Sequence, residues 1–186
     1  MKTRFIKQAQ HEYSPRQRLV ALLFEAIFFV ILIPAGLAAA STPLDRCLGL
    51  PRLGIGVLNS AVVSTSATLV GLLLILVGWP LALWAIFIQF TEGRGTPVPL
   101  MATQKLITDG PYAYCRNPMA LGAILAYVGV SLCLSSLAAV GLVLALSTVL
   151  LIYIRRAEEH EMEARFGPAY LAYRQCTPFL IPRRRR

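Results

Sequence analysis

Charge is scarce in this chain. Only 15% of its 186 residues are charged, against roughly 25% in a typical soluble domain, and that shortage excludes a protein kept in solution by its own surface. Carboxylates are scarcer still, nine against eighteen lysines and arginines. Histidine occurs only at His11 and His160, and Cys47, Cys115, Cys133 and Cys176 lie far apart with no CxxC pair. Neither a disulfide framework nor a zinc site is therefore indicated, and no metal is expected. A GxGxxG fingerprint is also missing, which leaves no support for a Rossmann-type dinucleotide site.

Apolar residues take the place of charge: 56% of the chain is hydrophobic, and it is arranged in long uninterrupted runs. Such runs predict helices rather than barrel strands, which would alternate over about ten residues. The fold class is accordingly an all-α integral membrane protein of about four transmembrane helices. Residues 1–186 read as a single transmembrane domain with spans near 19–40, 61–90, 119–135 and 137–154. The last two form a C-terminal helical hairpin around Ser135 and Ser136. The first run is longer than a signal-peptide core and lacks a clean small-residue cleavage pattern, so it reads as a retained span. It contains Glu25, which lies within two turns of Arg16 and Arg18 and has an interfacial reading. Residues 41–60 read as a loop with a short interfacial helix, and Trp79-Pro80 as a kink or an interfacial anchor.

The net charge of +9 does not argue for nucleic acid, because the basic residues sit at the two ends and beside the apolar runs. That placement reads as membrane flanking, with membrane lipids as the partner. Lysines and arginines number five in the N-terminal segment, two in the first loop, three in the central loop (Arg94, Lys105, Arg116) and eight in the tail. The distribution predicts both termini on the cytoplasmic side. The central loop 91–117 and a charged helix in the tail 155–186 then share that face. For a bacterial chain the membrane is the cytoplasmic, inner one.

Two polar segments carry the candidate chemistry. In TDGPYAYCRNP, Gly110 and Pro111 signal a tight turn, Tyr112 and Tyr114 supply rings, and Arg116 stands where the chain re-enters the membrane. A guanidinium at the lip of an apolar pocket clamps carboxylates bidentately and stays charged when partly desolvated. Its plain alternative is an arginine that snorkels to lipid headgroups. In RRAEEHEMEARFGPAYLAY, Glu158 and Glu159 follow Arg155 and Arg156. Adjacent carboxylates can bind a ribose or an ammonium group, or form part of a solvated helix face together with Glu161 and Glu163. Phe166-Gly167 reads as the end of one helix and the start of another, with Tyr170 and Tyr173 as interfacial anchors.

Taken in order, KLITDGPYAYCRNPM, the apolar hairpin and EEHEMEARFGPAYLAY resemble the isoprenylcysteine carboxyl methyltransferase and phospholipid methyltransferase superfamily. The resemblance covers about the C-terminal half, and GRGTPVP is similar to a segment of bacterial members. It implies transfer of a methyl group from S-adenosylmethionine to a lipophilic small molecule or lipid arriving from the bilayer. It further implies that Lys105, Tyr112, Arg116, Asn117, Pro118, Glu158 and Glu159 bind the cofactor. Chemically, Arg116 can orient a carboxylate acceptor, and Glu159 or His160 can serve as base for an amine, so Arg116 and Glu159 are the catalytic candidates. Asn117 stands where the isoprenylcysteine enzymes have histidine, and Ala120 where many relatives have tyrosine; both departures favour a different lipophilic acceptor. Two other readings compete. One is an NADPH-dependent membrane sterol-type reductase, whose Arg-His-Pro-Asn-Tyr segment this chain matches only in part. The other is a non-enzymatic membrane scaffold with basic tails on anionic lipid.

Overall fold

The computed structural model describes residues 14–52, 61–93 and 103–183. All of the GRGTPVP segment (93–99) beyond Gly93, the basic residues Lys2, Arg4 and Lys7, and the last three arginines of the tail lie outside the described residues. Among the described residues the secondary structure is helical throughout, without a strand. The helices are α1 (Pro15–Ala26), α2 (Ile33–Cys47), α3 (Ala61–Thr91), α4 (Pro118–Cys133), α5 (Leu137–Tyr153), α6 (Glu159–Phe166) and α7 (Pro168–Cys176). Wide π-type turns join α1 to α2 at Ile27–Leu32 and α5 to α6 at Ile154–Glu158, and a 3₁₀ turn occupies Gly110–Ala113.

Among the described residues, three continuous helical stretches are long and apolar enough to cross a membrane: Leu19–Cys47, Val62–Thr91 and Leu137–Phe166. The fourth apolar helix, α4, has 16 residues and rises about 24 Å, short of the roughly 30 Å of a hydrocarbon core. It is the shorter arm of the expected hairpin. Much of the surface of these helices is exposed leucine, valine, isoleucine and phenylalanine, including Phe24, Val62, Leu76, Phe87, Leu146 and Val149. In water such a surface would be an association patch; in lipid it faces its own kind.

Of the described residues, those within Met1–Ala26, Leu81–Leu121 and Leu151–Arg186 form one compact unit, and those within Ile27–Pro80 and Gly122–Leu150 form a second. In the second unit α3 and α4 meet through glycines. A Cβ added at Gly71 would stand 2.7 Å from the Gly129 carbonyl oxygen, one at Gly129 2.5 Å from the Gly71 oxygen, and one at Gly78 2.6 Å from the Gly122 oxygen. Two seven-residue glycine pairs thus let the backbones approach within a distance that any larger side chain would prevent.

The first helical stretch extends past its expected end near residue 40 and runs to Cys47, so 41–47 is helix rather than loop. The reason is Asp45. Its buried carboxylate accepts from the Ala138 amide at the start of α5 (2.9 Å) and pairs with Arg52 (3.4 Å). An intrahelical bond from Ser41 Oγ to the Ala38 carbonyl (2.8 Å) supports the added turn. Gly49, with φ +61°, then closes the helix, and the Leu50 amide reaches back to the Asp45 carbonyl (2.9 Å). The hairpin turn follows the same logic of satisfied ends. Ser135 takes a left-handed φ of +54°, and buried Ser136 caps α5 by accepting from the Ala139 amide (3.1 Å).

Pro34 explains the first wide turn. It has no N–H to donate, and its ring crowds the carbonyl four residues earlier, inside Ile27–Leu32. The loosened ladder leaves the Phe29 carbonyl to accept from the Tyr127 hydroxyl on α4 (2.8 Å). The Tyr127 ring in turn packs edge-on against Trp79, with centroids 5.8 Å apart. α3 continues through Pro80 to Thr91. Glu25 on α1 is buried within the protein.

Candidate active site

The chain between α3 and α4 is short of regular structure, and its turns are set by residue type. Gly110 adopts φ +57°, a conformation that carries a steric penalty for residues with a Cβ. Pro111 and Pro118 are fully buried, and Pro118 occupies the first position of α4, where a missing N–H costs nothing. Arg116 and Asn117 are thereby fixed immediately before a helix start.

On the opposite segment the wide turn Ile154–Glu158 decides which carboxylate points inward. A turn with one extra residue rotates everything after it by about 100° relative to an unbroken α-helix. Glu159 is buried, Glu158 half-buried, and Arg155, Arg156 and His160 exposed. This discriminates between neighbours that the sequence presents as equivalent.

Arg116 and Glu159 form an ion pair, with side chains only 12% and 11% exposed. Nη1 of Arg116 also donates to the Tyr170 hydroxyl (3.4 Å), and the guanidinium lies over the Phe179 ring, 5.7 Å from its centroid. Its Nε is buried and has no hydrogen-bond partner among the described residues. Burial raises the Tyr170 phenol above its usual pKa, and Glu159 adds to this, while the hydrogen bond and charge of Arg116 act in the opposite sense. A desolvated cation, a desolvated anion and a neutral phenol therefore share one small volume. Such a cluster has the chemistry to grip a zwitterionic or anionic group once water is excluded.

Tyr112 anchors the other side of the loop. Its hydroxyl donates to Gln89 Oε1 on α3 (3.1 Å), and its carbonyl accepts from the Tyr173 hydroxyl of α7 (2.7 Å). Burial above all, then Tyr173, Cys115 and Glu158, pushes the Tyr112 phenol far above the usual range. It remains a neutral donor at any physiological pH. Cys115, 1% exposed, is likewise raised by burial, partly offset by the Asn117 backbone, and is poorly placed to act as a nucleophile.

The residues expected from the sequence separate into two groups. Arg116 and Glu159 touch, Glu158 lies near enough to bias Tyr112 electrostatically, and Pro118 supports the loop from within. Asn117 points its amide at the Phe179 carbonyl (2.9 Å). Lys105 is exposed, and none of the described contacts ties it to the cluster. Tyr170 and Tyr173, expected at the membrane interface, are buried at 3% and 5%, because their hydroxyls are taken up by Arg116 and by the Tyr112 carbonyl. Phe179 carried no sequence signal: one ring in a proline-rich tail shows its partners only after folding.

Fold and site together define a helical membrane protein with a buried cation–carboxylate centre between a loop and the helix that follows a hairpin. The model of one family, phospholipid methyltransferase, matches residues 66–169. That range spans more than half of the chain, including the hairpin, Arg116 and Glu159, and the chain belongs to this family. No curated protein matches it.

Proposed function

We propose that the protein transfers a methyl group from S-adenosylmethionine to a lipophilic acceptor, a lipid or a hydrophobic carboxylate or amine, at the cytoplasmic face of the membrane. The observation that carries this reading is the buried pair of Arg116 and Glu159 within the family segment. An unpartnered Arg116 Nε beside a desolvated carboxylate suits the two charges of an amino-acid group: Arg116 would hold its carboxylate, Glu159 its ammonium. Glu158, half-buried one residue earlier, is the better placed of the two glutamates for a ribose. When bound, S-adenosylmethionine supplies a methyl group already activated by its sulfonium.

What the protein must add is modest. Methyl transfer is an in-line displacement, so catalysis consists of holding donor and acceptor about 3–3.5 Å apart in line and excluding water. The buried Pro111, Cys115, Tyr170 and Tyr173 wall the centre with few groups able to bind water. A carboxylate acceptor needs no base. An amine acceptor must first give up a proton, and exposed His160, not engaged by the donor, is placed to receive it. Orientation follows from the lysine and arginine distribution, which favours the basic segments on the cytoplasmic side.

Calorimetric titration of S-adenosylhomocysteine into the detergent-purified protein, beside Glu159→Gln and Arg116→Ala, tests the reading. Binding to wild type that weakens at least tenfold in both variants is the expected result. Wild-type binding with both variants unchanged would remove the pair from the site; absence of binding to folded wild type would withdraw the cofactor.

A further inference from the structure

The tail after α7 is bound to the loop that carries Arg116. At Thr177 the backbone leaves the helix for an extended conformation (φ −121°, ψ 125°), and the side chain is 2% exposed. From there three hydrogen bonds run in succession. The Arg116 amide donates to the Pro178 carbonyl (2.9 Å) and the Arg183 amide to the Tyr114 carbonyl (3.0 Å), and Asn117 Nδ2 donates to the Phe179 carbonyl (2.9 Å). Between these ties the Phe179 ring receives two guanidinium groups, Arg116 at 5.7 Å and Arg155 at 5.6 Å.

We infer that residues 177–183 form a strap that positions Arg116, with Asn117 as its tether and Phe179 as its working residue. The ring's negative face offers the guanidinium an attraction that occupies none of its N–H donors. Arg116 is thus held in a direction while Nε stays available for a ligand, which a second carboxylate in place of the ring would not allow. The same ring attracts Arg155 and so keeps a second cation beside the loop. Asn117 acts on Arg116 through the tail, with one amide hydrogen directed at the Phe179 carbonyl. The inference rests on the proposed function only in supposing that Arg116 faces the methyl donor; the strap itself does not depend on it.

Two measurements on the full chain in detergent separate the strap from the cofactor reading. Asn117→Asp removes the donor at constant size. Hydrogen exchange of peptides covering 114–117 and 177–183 is expected to quicken at least tenfold, with the α3 and α4 peptides unchanged; exchange equal to wild type overturns the strap. Phe179→Leu keeps an apolar side chain without a ring. It is expected to weaken S-adenosylhomocysteine binding about three- to thirty-fold, the range between an exposed and a desolvated cation–π contact, with Phe179→Tyr restoring it and both variants keeping wild-type helicity by circular dichroism. Equal affinity of Phe179→Leu and wild type overturns the positioning role. Should wild type bind no S-adenosylhomocysteine, the cofactor reading falls, and the strap is decided by the exchange result alone.

Discussion

Substituting one member of the Arg116/Glu159 pair should do more damage to stability than substituting both. The two side chains are 12% and 11% exposed, so each charge has surrendered most of its hydration. Removing one partner of such a pair costs about 3–5 kcal/mol, because the other is left buried and uncompensated, while replacing both by apolar groups of similar volume is often neutral or stabilising. Tyr170 and Phe179 soften the first case when it is Glu159 that goes: a hydrogen bond of 3.4 Å and a ring at 5.7 Å still face the cation. A cation–π contact in a desolvated site contributes up to about 2 kcal/mol. Glu159→Leu is therefore expected at the lower end, about 2–3 kcal/mol, and Arg116→Met at the upper end, about 3–5 kcal/mol. The double variant should return to within about 1 kcal/mol of wild type, and S-adenosylhomocysteine binding should be lost in all three. Equilibrium unfolding in mixed micelles supplies the cycle, and calorimetry the binding. Additive losses in the double variant would refute the account of a mutually compensating buried pair, and full binding by the stable double variant would show that the charges serve packing rather than a ligand.

The glycine contact between α3 and α4 predicts a contrast between positions. Gly129→Ala places a Cβ 2.5 Å from the Gly71 carbonyl oxygen and should destabilise by about 1–3 kcal/mol. Gly141→Ala on α5, with nothing within 4 Å, should be neutral or stabilise by up to about 1 kcal/mol; the same unfolding assay compares them. Asp45→Ala should cost about 1–3 kcal/mol, since it strips a buried amide of its acceptor and leaves Arg52 only the Thr42 hydroxyl, and Asp45→Asn should recover part of that loss. Folded-state phenol values at Tyr112 and Tyr170 are both raised. The stability they contribute is thus fully present below the unfolded value of about 10 and is lost as pH rises beyond it. Ultraviolet difference titration should find both tyrosines silent until the alkaline unfolding transition, and ionisation of all seven tyrosines before unfolding would contradict it.

Some features of the site were legible from residue type and order. Arg116 before Pro118, the polar loop and the paired glutamates beyond an apolar hairpin are local patterns with a direct chemical meaning. Their equivalences were not legible. Glu158 and Glu159 are adjacent carboxylates, and only the wide turn Ile154–Glu158 assigns burial to one of them. A backbone irregularity of this kind is decided by the fit of a whole helix to its neighbours, not by the five residues within it. Asn117, placed by resemblance among cofactor ligands, also donates to the tail carbonyl 62 residues later, a partner that no local pattern announces.

The sequence by itself determined the solvent and the secondary structure. Helices are the only open-ended way for long apolar runs to satisfy their backbone groups in lipid, and serines, glycines and prolines at 34, 49, 110, 136 and 167 mark where those helices bend, begin or stop. It also determined the family, through motifs kept in order along one stretch of chain. Tertiary structure alone decided which polar groups are dry and which are paired. Arg116 meets Glu159, Tyr170 and Phe179, and Asp45 meets Ala138, across separations no periodicity spans. Burial and pairing are properties of what comes from the other side, and that is fixed only when the chain has closed upon itself.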